Sequence, residues 1–304
     1  MGCLTALALR DRGCQVTLVE RNVVAAQTSG ESSWAGAGIL FPLLPWMYKD
    51  AVNQLAMAGA SLYPALCERL FAETGIDPEY TQSGMQILPP FDEATAINWC
   101  ESYQVPVEKK ANGLLLPSIA QVRPPHLLQA LRQLLIQNGV FLLENTQLEP
   151  LENCEKISSW KTSTGLVLEA DAFVVTSGAW SFDLLKDTAA NLNIKPMRGQ
   201  ILLYENVPEK LENIIYSNGF YLVPRRDGLL LAGSTLEDVG FDKNTTEEVK
   251  QELKTKAESI LPSLKHALIS KHWSGLRTGT PDTLPRIAAH PTIKNLHLTQ
   301  GHFG

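Results

Sequence analysis

MGCLTALALRDRGCQVTLVER, residues 1–21, decides how the rest of the chain is read. In LTALALRDRG the apolar positions Leu4, Leu7 and Ala8 recur at helical spacing, and Gly13 supplies a C-terminal stop. CQVTLVE then has the β-branched, apolar make-up of a strand covered on both faces, as in a parallel sheet. Together they form the second half of a strand-helix-strand unit, and the strand that should open the unit is not among these residues.

The same layout returns further on. HLLQALRQLLIQNGVFLLEN (126–145) reads as helix, glycine stop and strand, without repeating the opening sequence. Residues 49–73 suit a helix that Pro64 should kink or divide. MQILP (85–89) and GLLLP (113–117) read as short strands around a helix at 92–104. In 156–180 two hairpin-like strands precede a strongly apolar one that runs into a Gly-Ala-Trp turn. From 196 to 235 strands dominate, with Asp227-Gly228 as a hairpin turn. A charged helix capped by Thr245 or Thr246 follows at 245–261, and NLHLTQGHFG closes the chain as a strand leading into a glycine-rich turn.

Helix-strand alternation near both ends with an antiparallel middle predicts an α/β protein. A Rossmann-like nucleotide-binding domain, lacking its first strand, is interrupted by an α+β domain with an antiparallel sheet. The expected division places 1–80, 120–192 and 272–304 in the first domain, and 81–119 with 193–271 in the second.

At 304 residues the chain has ample length for a sizeable core. A formal net charge of -6 leaves no basic footprint for a phosphate backbone, which argues against nucleic acid as a partner. Five cysteines, odd in number and never spaced CxxC, suggest neither a disulfide framework nor a zinc ribbon, and fit a reducing cytoplasm. WAGAGILFPLLPWM (34–47), the most apolar stretch, is too short and too broken by proline and glycine to span a bilayer. No signal peptide is evident, and the six histidines show no metal-ligand spacing, so no metal is expected.

Chemistry enters with the opening unit. A dinucleotide-binding turn needs glycines before its helix and an acid at the end of its second strand to receive the ribose hydroxyls. Gly2 falls where the third glycine would, and Glu20 closes the strand 18 residues later. An ordinary helix-strand pair with a surface glutamate reads equally well from these residues alone. TSGESSWAGAGIL (28–40) offers small residues that let backbone amides approach an anion or a ring system, although a flexible Gly/Ser loop is the plainer reading. VVTSGAWS (174–181) contains no GxSxG nucleophile elbow. Arg225 and Arg226, just before Asp227-Gly228, read as a solvated hairpin end.

Taken in order, LVER, SSWAGAGIL, VVTSGAWS, MRGQILL, FYLVPRRDGLLLAGSTLED, HWSGLRTGTPDTLPRIA and TQGHFG make the chain resemble the D-amino-acid oxidase family of flavoproteins. Its glycine-oxidase branch, associated with thiamine biosynthesis, is the most similar. The resemblance implies FAD. It places Glu20 and Arg21 at the adenosine ribose, Ser32 and Ser33 at the diphosphate, and Ala37, Gly38 and Ile39 at the flavin edge, with Gly2 as the third glycine of the cofactor-binding turn. It also implies a backbone contact to adenine at Leu148, and close main-chain approach at Gly178 and at Gly301, His302, Phe303 and Gly304; for His302 a structural role is the preferred one. Arg277 would fork onto the substrate carboxylate and Tyr221 would line the same pocket.

The implied reaction is oxidative deamination of glycine or another small amino acid. Hydride passes from Cα to the flavin, so no catalytic acid or base is assigned, and molecular oxygen or another acceptor takes the electrons. A D-amino-acid dehydrogenase or sarcosine-type oxidase is the runner-up, and an inactive remnant or interaction protein is the reading from another class. Homo-oligomerisation stays open. The family pattern also has a strand and two glycines before the position of Met1, a further segment after Gly304, and a second substrate arginine where Gly304 stands. The chain is therefore expected to be an incomplete reading of a longer protein, with apolar sheet edges left unpaired where a central strand belongs.

Overall fold

The computed structural model of the chain describes residues 1–27, 31–188, 190 and 192–300. Its helices are α1 (Gly2–Arg10), α2 (Ser32–Ala35), α3 (Asp50–Thr74), α4 (Glu93–Ser102), α5 (Pro124–Gln137), α6 (Ser181–Leu185) and α7 (Glu247–Ile260). The first eight strands are β1 (Thr17–Val19), β2 (Met85–Leu88), β3 (Glu108–Lys110), β4 (Gly113–Leu116), β5 (Phe141–Leu143), β6 (Trp160–Lys161), β7 (Val167–Leu168) and β8 (Phe173–Val175). The rest are β9 (Lys195–Glu205), β10 (Ile214–Ser217), β11 (Phe220–Pro224), β12 (Leu230–Gly233), β13 (Leu268–Gly279), β14 (Arg286–Ala289) and β15 (Leu296–Gln300).

α1 ends as its sequence predicts. Gly13, at φ 83°, donates its amide to Arg10 O while the Cys14 amide reaches back to Leu9 O, a reciprocal closure on a left-handed glycine. β1 then pairs in parallel with β5, Thr17 opposite Phe141. α1, α3 and α5 share one apolar cluster containing Leu7, Leu70, Leu131 and Leu134, which fixes this layer against the β1–β5 pair.

Two expectations need correction. α3 runs unbroken through Pro64, because burial of Cys67 and Leu70 against α5 holds the turns that follow the proline. β1 is half-exposed, not covered on both faces. β5 is the strand paired with it, and among the described residues no strand pairs with its other edge. A separate parallel pair, β15 with β8, carries the antiparallel β14 on its far side. Gly2 lies between these two small sheets: a Cβ there would sit 2.9 Å from Thr176 Oγ1 and 3.5 Å from Leu18 Cδ1.

The large sheet has eight strands in the order β13-β9-β12-β11-β10-β2-β4-β3, antiparallel except for β10 with β2. Side chains alternate between its faces. One face carries Leu202, Tyr204, Phe220, Leu222 and Leu230 and is covered by α7, whose first turn is capped by the Thr246 hydroxyl accepting from Val249 N. The opposite face carries Ile201, Tyr216, Tyr221, Val223 and Trp273 and looks toward α2 and the segment 37–48.

Candidate active site

The end of β1 is one wall of the site. The Glu20 amide extends the parallel ladder by donating to Leu143 O at 2.9 Å, which points the chain into a tight turn at Arg21 and Asn22. Glu20 Oε1 accepts the Asn22 amide at 2.9 Å, and Asn22 Nδ2 donates to Glu31 Oε1 at 3.0 Å. Burial raises the Glu20 carboxyl above its ordinary value; the Asn22 amide opposes that shift and the nearby Glu31 adds to it. The Arg21 guanidinium lies 4.5 Å from the centre of the Trp180 ring, a cation-π contact. Between them opens a cavity of about 610 Å³ lined by Arg21, Asn22, Asn145, Trp180, Lys243 and Leu276. Leu276 precedes Arg277, so the cavity joins the end of β1 to the strand that carries the predicted carboxylate clamp.

α2 is seated directly on β13. A Cβ at Gly275 would lie 2.7 Å from Ala35 Cβ and 3.3 Å from Ser32 Cα, so the helix rests on bare strand backbone. Glu31 bridges Leu276, Trp273 Nε1 donates to Ala35 O at 3.1 Å, and Trp34 stacks on Trp273 at 6.2 Å. Ser32 and Ser33 therefore open a short helix held against the large sheet.

Ala37, Gly38 and Ile39 are tied down on their other side. Val122 N donates to Gly38 O at 2.9 Å and Leu40 N to Ala120 O at 3.0 Å. Gly38, at φ 74°, presses so closely on Val122 O that no side chain fits there. Arg225 completes the clasp, donating to Gln121 Oε1 at 2.6 Å, Val122 O at 3.0 Å and Ala37 O at 2.7 Å. Its guanidinium is enclosed, and burial, reinforced by the Arg123 charge, pushes it down to about 10. This corrects the solvated-hairpin reading. Arg226, the exposed member of the pair, is also engaged, with Asp77 at 2.8 Å and with Tyr80 O. Sequence alone could not separate the two arginines, because which of them faces the 120–122 segment depends on the strand pairing.

Arg277 projects from β13 and donates to Ser234 Oγ at 2.6 Å and Thr235 O at 3.0 Å. Gly178, at φ 56°, brings the turn after β8 against the next residue, with a Cβ position only 3.3 Å from Thr278 Oγ1. Tyr221 is buried opposite Tyr216 on β10, and its other register partner is Gly233, next to Ser234. Tyr48, absent from the sequence-based set, completes this group. Burial raises its phenol, the neighbouring Tyr216 raises it further, and the Arg277 charge pulls it back, so all three groups share one electrostatic neighbourhood. Tyr48 follows a one-turn 3-10 helix, Pro45–Met47, and no motif spacing marks it.

Thus Glu20 is linked through Asn22 and Glu31 to α2 with its Ser32 and Ser33, α2 and Gly178 touch β13 on either side of Arg277, and Arg21 lines the cavity itself. Leu148 stands apart: its backbone bridges Thr162, and its side chain packs on the cluster around Trp160 and Leu185. Gly301, His302, Phe303 and Gly304 lie outside the described residues. No group of three or more potential metal ligands occurs among the described residues.

The family described as FAD dependent oxidoreductase (DAO) matches residues 1–304. The chain belongs to that family. This FAD-dependent oxidoreductase is similar to a glycine oxidase of Pseudomonas putida, 36% identical over 321 residues, covering 100% of the chain and 87% of the relative. It is also similar to the bifunctional protein ThiO/ThiG of Trichormus variabilis, 31% identical over 328 residues, covering 100% of the chain and 48% of the relative. A crystal structure of glycine oxidase from Geobacillus kaustophilus superposes with a TM-score of 0.89 at 26% identity, covering 99% of the chain and 86% of that structure.

The residues present fit FAD. Glu31 Oε2 and Trp34 Nε1, on the segment seated against Leu276 and Trp273 of β13, are buried with no hydrogen-bond partner among the described residues, one a free acceptor and the other a free donor. A cofactor carrying both hydroxyl donors and carbonyl or phosphate acceptors answers both needs.

Proposed function

We propose that this oxidoreductase oxidises glycine or another small amino acid to its imine, which hydrolyses to an oxo acid and ammonia. Molecular oxygen takes the electrons to give hydrogen peroxide, in the cytoplasm and in the service of thiamine biosynthesis. The observation that carries this reading is the guanidinium of Arg277, held at a defined place by Ser234 and Thr235 on the strand that seats α2. Similarity to the glycine oxidase of Pseudomonas putida and to ThiO/ThiG supports the substrate and the pathway.

In this reading FAD, when bound, supplies the two-electron acceptor. Glu20 and Arg21 would hold the adenosine ribose, Ser32 and Ser33 the diphosphate region, and Gly2 and Gly178 would let main chain approach the cofactor. Ala37, Gly38 and Ile39 would meet the flavin edge, with Arg225 clamping the Ala37 carbonyl. Residues 81–119 and 193–271 form the substrate-side unit, with β13 running through the boundary at 272.

Arg277 binds the carboxylate by charge-assisted hydrogen bonds, which fixes the substrate's orientation and leaves the Cα hydrogen to be aimed by geometry. Tyr48, Tyr216 and Tyr221 would wall the substrate side and keep water from the reacting carbon. No side chain of this set needs to hold a proton, since a substrate bound with its amine neutral would leave as the protonated imine once its hydride had passed to bound FAD, and water would hydrolyse that imine to the oxo acid and ammonium. Catalysis is then positioning.

The test is a visible spectrum of the purified protein followed by peroxide measurement with glycine, sarcosine and D-alanine. A flavin band with peroxide from glycine is the expected result. Turnover with an artificial acceptor but no peroxide favours the dehydrogenase reading, and no turnover with any small amine overturns the proposal.

A further inference from the structure

Gly199 sits in the middle of β9, directly opposite Gly275 of β13. Its φ is not in the left-handed region, and an extended strand interior is where glycine is weakest: it packs no side chain and loses the most entropy on folding. Neither a turn nor a bulge explains it, since the register is unbroken from Lys271 to Gly279. What explains it is a neighbour. A Cβ on Gly199 would lie 2.7 Å from both Cζ and Nη2 of Arg277, and nearer still to Nη1.

The Arg277 guanidinium thus lies across the bare backbone of Gly199. From there it reaches beyond β9 to the segment after β12, where Ser234 Oγ accepts from Nη2 and Thr235 O from Nη1. The sheet's alternation puts residues 199 and 201 on the same face as 273, 275 and 277. The two facing glycines divide the labour. Gly275 leaves room for the fixed backbone of α2, whereas Gly199 leaves room for the mobile end of one side chain.

We infer that Gly199 and Ser234 are positioning residues for Arg277: the glycine is the shelf on which the guanidinium lies, and the serine hydroxyl is the latch that turns it. This rests on the carboxylate-clamp role proposed above. The ligand class is an α-amino acid or another small carboxylate. Where a methyl at 199 lifts the guanidinium off the shelf, the carboxylate site moves with it, while the strand keeps its pairing.

The experiment uses the FAD-loaded full chain and its G199A, S234A, R277A, G199A/R277A and S234A/R277A variants. Acetate binding is followed by calorimetry, glycine kinetics by peroxide, FAD content by absorbance, and Tm by thermal melt. G199A should weaken acetate at least ten-fold and S234A several-fold, with glycine KM rising in proportion. FAD content and Tm should stay at the parent's values. Neither change should weaken acetate further once Arg277 is alanine, which a merely structural role would not produce. S234A adds no bulk and so reads the latch even where G199A folds poorly. Weak acetate binding in R277A alone, or additive losses in the double variants, overturns the inference and leaves the clamp standing. Acetate binding unchanged in R277A overturns the clamp and the inference together.

Discussion

Arg225 stands two residues before a hairpin turn, a place where an arginine is ordinarily solvated, and yet it joins three separate segments. Each acceptor would be left unpaired without it, and burial makes that costly. Arg225→Met should destabilise the protein by about 1–3 kcal/mol and weaken FAD through the freed Ala37–Gly38 segment, seen as a lower Tm and a higher FAD dissociation constant. Arg277→Ala acts elsewhere. It should cost about 2–5 kcal/mol in kcat/KM for glycine and leave the flavin band intact. Unchanged kinetics would place the carboxylate clamp on another residue. Glu20 adds a pH dependence, since burial raises its folded carboxyl above the usual range. As pH falls through that raised value the carboxylate is protonated and becomes a poorer acceptor, so FAD affinity should drop about five-fold. Fluorescence titration across mildly acidic pH checks this, and Glu20→Gln should flatten the profile.

At the scale of elements, the contact between α2 and β13 brings the residues proposed for the cofactor together with those proposed for the substrate. Gly275→Ala pushes a methyl into Ala35 and the backbone at Ser32, neither of which can rotate away. Overpacking of this kind should cost about 1–3 kcal/mol, measured as a lower urea midpoint, and should displace Ser32 and Ser33 enough to reduce FAD occupancy. Helix and strand identities were legible in the sequence because their periodicity and stops were clear: α1 with its Gly13 closure, α5 with its apolar stripe, α7 with its Thr246 cap. The exposure of β1 was not legible. CQVTLVE has the composition of a doubly covered strand, and only the sheet order shows that β5 pairs with it on one side alone. Nor was the continuity of α3 through Pro64, since tertiary packing overrode a local penalty.

Over the whole molecule, carboxylates paired with arginine set the acid limit of stability. A hydrogen bond from Arg132 holds Glu144 below its ordinary value. At Glu237 burial works the other way, and hydrogen bonds from Arg198, Thr235 and Gln200 outweigh it. A depressed folded value means the unfolded chain binds more protons, so stability is fully present above the unfolded carboxylate pKa of about 4.3 and is lost as pH falls through the lower folded values. Urea midpoints between pH 7 and pH 3 should decline in that window, and Arg132→Met should blunt the decline. The sequence by itself determined the order of elements, the α/β class and the family, because those rest on local periodicity and on short motifs whose spacing survives in one dimension. Tertiary structure alone decided that Arg225 is a clasp, that the Arg277 charge reaches Tyr48, and that Gly199 is empty for the sake of a guanidinium. Each of those depends on which residues a strand register brings within a few ångströms, and no linear spacing encodes that.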